Sequence, residues 1–255
     1  MVELKTPGEI DAMREAGRIV AQALHAVTQH ATPGTRLTEL DDIATTVIHE
    51  AGATSAFLHY QPPFAPTPYP AVICTSVNDA VVHGIPSHHR LRDGDLLSVD
   101  FGVSFDGWAA DSAVSLTVGH PNPADTALID TTRAALQAGI AAAAPGNRLG
   151  DIGHAIAATA TAAGYGLLDD FGGHGIGRRM HEDPHVANTG RPGRGLILRP
   201  GLTLAIEPMF IAGGDGRYRT ATDGWTLHSI DGSRAAHAEH TIAITDDGPR
   251  ILTLP

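Results

Sequence analysis

Two ten-residue stretches share one plan and end on the same chemistry. LRDGDLLSVD (91–100) stops on Asp100, and LRPGLTLAIE (198–207) stops on Glu207. In both, Leu, Arg and Gly hold matching places before an apolar run. The first stretch leads into Phe105-Asp106-Gly107-Trp108, whose Asp-Gly pair is the turn chemistry of a tight hairpin. If Phe105 faces Trp108, Asp111 lies opposite Gly102, and Asp100 and Asp111 become diagonal neighbours on one face, roughly 7–8 Å apart at Cα. Two carboxylates that close repel each other unless a cation or a proton lies between them.

Side-chain alternation along a strand extends the pattern. Leu97, Val99 and Phe101 share one face, with Ser98 and Asp100 on the other. Leu202, Leu204 and Ile206 lie opposite Thr203, Ala205 and Glu207. In AEHTIAIT (238–245), Ile242 and Ile244 lie opposite Glu239, Thr241 and Ala243. Each apolar face is expected to pack on helices, which turns each acid toward the other side of the sheet. One acid at a strand end is ordinarily solvated or caps a turn, but four on matching faces in both halves argue against that reading. His174, between Gly173 and Gly175, adds a neutral nitrogen ligand on a loop that allows close approach.

The elements that must position these groups are also written twice. TPGTRLTELDDIATTVIHEAG (32–52) aligns with APGNRLGDIGHAIAATATAAG (144–164), matching Pro33 to Pro145, Gly34 to Gly146, Arg36 to Arg148 and Leu37 to Leu149. So long a period is not a solenoid's. It predicts two similar halves, about 1–120 and 121–255, related by a pseudo-twofold within a single catalytic domain spanning 1–255. Each half opens with two helices. Thr6-Pro7-x-Glu9 is a capping box with proline at the first helical position, and Ile10, Met13, Gly17, Val20, Leu24 and Val27 recur at helical spacing. Pro33-Gly34 breaks that helix, and Thr38 starts a second that ends near Gly52. Asn122-Pro123 starts a third, Pro145-Gly146 breaks it, and a fourth runs from about Gly150 to Gly164. The proline-rich QPPFAPTPYP (61–70) cannot join a central ladder and reads as a surface loop.

Bulk composition narrows the function. The 255 residues are 42% hydrophobic and 18% charged, as expected of a globular protein, and the formal net charge of −11 disfavours binding to a phosphate backbone. Cys74 is the only cysteine, which fits a reducing cytosol. The start, MVELKTPGEIDAMREAG, lacks a signal-peptide core, and no apolar run reaches membrane-spanning length.

With these residues assembled, the chain resembles the type I methionine aminopeptidases. The resemblance rests on CTSVNDAVVHGIP (74–86), LRDGDLLSVDFG (91–102), GWAADSAVS (107–115), GGHGIGRRMHEDP (172–184), AIEPM (205–209) and AEHTIAIT (238–245). It implies an α+β pita-bread (aminopeptidase/creatinase-like) fold, two pseudo-symmetric halves each packing a helix pair on a curved, mainly antiparallel sheet. It implies two divalent ions held by Asp100, Asp111, His174, Glu207 and Glu239, with Asp111 and Glu239 bridging them. Four carboxylates and an imidazole, with no thiolate, suit Mn²⁺, Fe²⁺ or Co²⁺. Two such ions about 3.5–4 Å apart can activate a bridging water and polarise a carbonyl.

The resemblance also assigns His83 to the substrate and departing amine, His181 to the scissile carbonyl, and Glu207 to proton transfer. Phe57, Tyr60, Tyr69, Cys74, Met180 and Trp225 fall at methionine-pocket positions. Phe57, Met180, the long 57–69 segment, and His237 and Ala238 before the last ligand depart from the family pattern. The implied activity is removal of N-terminal methionine ahead of a small second residue, by a cytoplasmic monomer acting on nascent chains, with the ribosome as a candidate partner. The alternatives are another pita-bread aminopeptidase of Xaa-Pro or broader specificity, and a non-catalytic binding protein on the same fold.

Overall fold

A computed structural model of the chain describes residues 2–63 and 65–255. Helix α1, Pro7–His30, begins where its capping box requires: the Glu9 carboxylate accepts the Thr6 N–H, and the Thr6 hydroxyl accepts the Glu9 N–H. Its buried stripe contains Ile10, Met13, Gly17, Val20, Leu24 and Val27, as the spacing predicts. Helix α2, Leu37–Ala51, begins one residue before Thr38 and ends against Gly52, which takes the left-handed conformation that glycine tolerates best. Helix α3, Pro123–Ala142, is capped by the Asn122 side chain. Helix α4 spans Leu149–Ala163 and closes on a left-handed Gly164.

The second half repeats details of the first. The Gly34 N–H donates to the Leu91 carbonyl and the Gly146 N–H to the Leu198 carbonyl. Carboxylates of Glu39 and Asp151 accept the N–H groups of Arg36 and Arg148 at the starts of α2 and α4.

All the described ladders are antiparallel. In the first half the strand Leu96–Phe105 lies between Thr54–Ser55 and Ile73–Val77 and also pairs with Trp108–Thr117. The hairpin register is the one expected: Phe105 faces Trp108 and Gly102 faces Asp111. Asp106 and Gly107 both have positive φ, which gives the turn the twist of its strands. Leu97, Val99, Phe101 and Val103 pack against α1 and α2. In the second half five strands lie in the order Gly248–Ile251, His240–Thr245, Thr203–Ile206, Gly172–Gly175, Glu182–Ala187. Leu204, Ile206, Ile242 and Ile244 pack against α3 and α4 through Leu128, Leu136, Ile140, Ile152 and Ile156.

The antiparallel strands extend beyond these two sheets. Two further three-stranded sheets occur, one of Ala235–His237, Met209–Ile211 and Gly166–Leu167, the other of Tyr218–Thr220, Leu227–Ser229 and Ala80–Val82. Pro208 supplies a reason. It lacks an N–H for the ladder, so the chain leaves one sheet at Ile206 and enters another at Met209. A second break separates Ala235–His237 from His240–Thr245. Glu207 and Glu239 lie in these two breaks rather than within strands.

The proline-rich stretch is more than a surface loop. Pro62, Ala65 and Tyr69 are buried, the Thr67 carbonyl accepts the Trp225 indole N–H at 3.0 Å, and Ala65 and Tyr69 cluster with Cys74 and Trp225. Phe64, also in that stretch, lies outside the described residues.

Candidate metal centre

The seam between the halves is drawn with small hydroxyls. The Thr241 hydroxyl accepts the Asp111 N–H at 2.9 Å and donates to the Asp111 carbonyl at 2.8 Å. Ser112 donates to the Glu239 carbonyl at 2.6 Å, and the Glu239 N–H donates to the Ala113 carbonyl. Ser115 donates to the His237 carbonyl. These bonds tie Asp111 on the hairpin to the break that carries Glu239. Glu207 is tethered by its own carbonyl, which accepts from the Asn188 amide at 3.0 Å.

His174 lies on the strand Gly172–Gly175 rather than in a loop. Its flanking glycines are demanded by close neighbours. A Cβ at Gly173 would lie 2.0 Å from the Ala205 carbonyl oxygen, and one at Gly175 would lie 2.1 Å from that of Asp183. The His174 Nδ1 is 2.9 Å from the Gly175 carbonyl oxygen, which makes Nδ1 the donor and leaves Nε2 a free lone pair. Nε2 lies 4.0 Å from Asp111 Oδ2 and 3.7 Å from Glu207 Oε1.

One ligand atom each from Asp111, His174 and Glu239 falls within 4.8 Å of the other two, all three side chains being buried. Asp100 Oδ1, Asp111 Oδ1 and Glu239 Oε1 are buried without a hydrogen-bond partner. Burial, then repulsion from Asp100 and Glu207, pushes the Asp111 carboxyl far above the usual range. Burial, then repulsion from Asp111, Glu207 and Asp100, does the same to Glu239. Burial raises Asp100 to about 6 and Glu207 to about 8; what exposure these two keep is toward the cavity. Burial lowers His174 to about 3 and His83 to about 4, keeping both imidazoles neutral. Four converging carboxylates, three of them with an orphaned oxygen, and a neutral imidazole nitrogen form a donor set that fits divalent ions.

The cavity above this floor has a volume of about 260 Å³. Phe57, Tyr60, Tyr69, Cys74, His83, His181 and Trp225 line it together with Asp100, Asp111, His174, Glu207 and Glu239. Met180 is not in the lining. It packs with Ile10, Met13, Trp108 and Ile176, with Phe57 against the same cluster. Tyr69 meets Trp225 edge-on at 5.0 Å between ring centroids, and Phe57 meets Tyr69 at 6.4 Å. The Tyr69 hydroxyl donates to carbonyls at Ile73 and Gly84. His83 has a φ of 59°, an uncommon conformation for a side chain to hold, and sits edge-on to Phe171 and Trp225. His181 stands at the solvent-accessible mouth, stacked on Tyr60 at 5.1 Å and 4.2 Å from the His174 ring.

Sequence reasoning missed Asp170, Phe171 and His185, which also line the cavity. It also missed the anchoring roles of Thr241 and Asn188. Thr241 carried a legible signal, a polar residue on the acid face of a buried strand. Asn188 and Phe171 carried none.

The profile of metallopeptidase family M24 matches residues 11–246. Methionine aminopeptidase 1 of Mycobacterium tuberculosis (strain CDC 1551 / Oshkosh) is 51% identical over 261 residues, which cover 100% of this chain and 96% of that protein. Methionine aminopeptidase of Aquifex aeolicus is 42% identical, with 99% and 98% covered. The crystal structure of methionine aminopeptidase from Thermotoga maritima superposes with a TM-score of 0.95 at 41% identity over the whole of both chains. Prolidase from Pyrococcus furiosus shares the fold, with a TM-score of 0.77 at 22% identity over 99% of this chain and 65% of that one.

Proposed function

This chain belongs to metallopeptidase family M24, and from that premise we propose how its cavity removes N-terminal methionine from polypeptides. The pita-bread fold and the dependence on divalent metal follow from the family; the assignment of ions and roles to residues is our reading. Asp100, Asp111, His174, Glu207 and Glu239 hold two ions, with Mn²⁺, Fe²⁺ or Co²⁺ suited to so oxygen-rich a set. The observation that carries this is the buried Asp111, His174 and Glu239 group, whose ligand atoms lie within 4.8 Å of one another. When bound, the ions activate a water and polarise the scissile carbonyl.

The chain's own groups do the rest. Burial raises the Glu207 carboxyl to about 8 in the ion-free fold; beside a bound cation it would be ionised, and as a carboxylate it takes the proton of the attacking water and returns it to the departing amine. His181, neutral and at the mouth, donates to the carbonyl oxygen as negative charge develops on it. His83, held in a left-handed conformation between Val82 and Gly84, faces the amine side. Phe57, Tyr60, Tyr69, Cys74 and Trp225 enclose an unbranched thioether side chain, and Met180 supports Phe57 from behind. A small second residue, Gly, Ala or Ser, is what the likeness to methionine aminopeptidases leads us to expect.

We read residues 1–255 as a single catalytic domain, because the hydroxyl seam joins ligands of both halves. Among the described residues no helix is long and apolar enough to cross a membrane. We place its action on nascent chains in the cytoplasm, a reducing compartment that suits the free, buried Cys74. The likeness to prolidase is one of fold and supports no Xaa-Pro reading. Release of the N-terminal residue from Met-Ala-Ser and from Xaa-Pro peptides, with each ion returned in turn to chelator-stripped protein, tests the proposal. Release from Met-Ala-Ser alone is expected. Equal turnover of Xaa-Pro peptides, or turnover indifferent to stripping, would overturn it.

A further inference from the structure

Lys5 is the only lysine in a chain whose other basic side chains, histidine apart, are all arginine. It is also buried, its side chain being 2% exposed. The ammonium donates to Glu182 Oε2 at 2.8 Å and to the Glu3 carbonyl at 3.4 Å. The Lys5 N–H donates to the Gly201 carbonyl at 2.7 Å, which seats the segment just ahead of α1. Withdrawing an ammonium and a carboxylate from water is costly unless each is well partnered, so the place where the molecule accepts that cost is informative.

That place is the turn that delivers His181. The chain leaves the His174 strand at Gly175, passes Ile176 to His181, and re-enters the sheet at Glu182. Glu182 clamps the turn from inside: its Oε1 accepts the Arg179 N–H at 3.0 Å while its Oε2 holds Lys5. Lys5 in turn lies across Gly177, where an added Cβ would fall 2.5 Å from its Cε and 2.7 Å from its Nζ. Gly177 is itself bonded to the Ala109 N–H and to the Arg179 carbonyl. The Lys5 stem therefore passes where only a glycine at 177 leaves room, and the compact ammonium meets Glu182 with a geometry that the broad planar fork of arginine would not reproduce. That accounts for a lysine here. The His181 ring has Tyr60 on one face and His174 beside it, and the Glu182 carboxylate that follows it bonds both Lys5 and the Arg179 N–H of the same turn.

We propose that Lys5 and Glu182 form a positioning pair that holds His181 at the reacting carbonyl, so that the segment preceding α1 governs the chemical step without touching substrate. This rests on the role given to His181 above. The test is a double-mutant cycle on Met-Ala-Ser turnover, using K5M, E182Q, H181A and the combinations K5M/H181A and E182Q/H181A. Misplacing a catalytic group by about an ångström costs on the order of 10²-fold in rate. K5M and E182Q should therefore lower kcat by roughly 10–100-fold with KM and Mn²⁺ affinity little changed, K5R should fail to restore kcat, and neither substitution should lower kcat further once His181 is alanine.

If K5M and E182Q reduce kcat by the same factor with and without His181, their effect is general damage and the proposal falls. It falls equally if E182Q, folded by thermal melting, turns over like the unaltered chain. Should K5M not fold, the E182Q arm of the cycle decides by the same criteria. If H181A alone leaves kcat unchanged, the role of His181 is overturned and this proposal with it. That outcome is distinguishable from the others because it appears in the single variant.

Discussion

The two sides of the cavity are built on opposite principles. The acid side hangs from paired strands and their ends. Asp100 and Asp111 are fixed by hairpin register, Glu239 by backbone bonds to the same hairpin, and Glu207 by a proline-enforced exit from its strand. The apolar side is made by loops: Phe57 and Tyr60 follow a two-residue strand, Tyr69 ends the proline-rich stretch, and Trp225 arrives from a distant turn. Groups that repel one another must be held by a frame that cannot relax, because each displaced carboxylate would find solvent or a proton instead. Groups that only enclose a side chain tolerate an adjustable support. Damage to the acid side should therefore appear in turnover, and damage to the apolar side in affinity and selectivity.

The hardest blow to the acid side is Glu207→Gln, which keeps shape and removes both charge and proton traffic. Turnover should fall by about 10²–10⁴ with the melting temperature of the ion-free protein preserved; steady-state kinetics with metal content measured in parallel would check this. Next comes His181→Ala, a donor that acts as charge develops on the carbonyl oxygen. It should cost on the order of 10²–10³ in kcat with little change in KM, and a raised KM at constant kcat would move His181 to the binding side.

pH probes the acid side without mutation. Asp100 and Glu207 hold protons more tightly in the fold, at about 6 and about 8, than at their ordinary values of 3.8 and 4.5. The stability they lend the ion-free protein is complete below pH about 4 and is lost as pH rises through about 6 and then about 8. Their contribution should lower the melting temperature of the ion-free protein across that window, while the stabilisation conferred by added Mn²⁺ grows, since ions displace those protons. Melting curves at several pH values, with and without Mn²⁺, would sink this if the ion's effect shrank toward pH 8.

The smallest effect belongs to the apolar side. At Gly102→Ala the new Cβ would meet Met180 Cε at 2.6 Å and Phe57 Cε1 at 2.9 Å, pushing Phe57 into the pocket. Overpacking of this kind costs about 1–3 kcal/mol of stability. KM for Met-Ala-Ser should rise several-fold with kcat nearly intact, and a loss confined to kcat would erase the distinction between the two sides.

The same contrast decides what could be read from sequence. The helices were legible because capping boxes and left-handed glycines are local events; α1 begins at its Thr6 box and α2 and α4 end on Gly52 and Gly164. The hairpin register was legible because an Asp-Gly turn of two residues leaves one pairing, which brought Asp100 and Asp111 together. The sheet divisions at Pro208 and Ala238 were not, because an alternating pattern does not tell which partner a strand has on each side. Met180 falls at a pocket position by resemblance to the family, yet here it packs with Met13 and Trp108, contacts that no local pattern in the sequence announces. The proline-rich stretch looked solvent-exposed because its composition is that of a loop, while its burial depends on Trp225, more than a hundred residues away.

The central claim is that both halves contribute to one cation cage. Anomalous diffraction from crystals of the protein grown with Mn²⁺ tests it most directly. The account predicts two neighbouring peaks held by the five groups together, Asp100 and Asp111 from the first half and His174, Glu207 and Glu239 from the second. Peaks ligated from only one half, or Mn²⁺ held by residues outside these five, would contradict it.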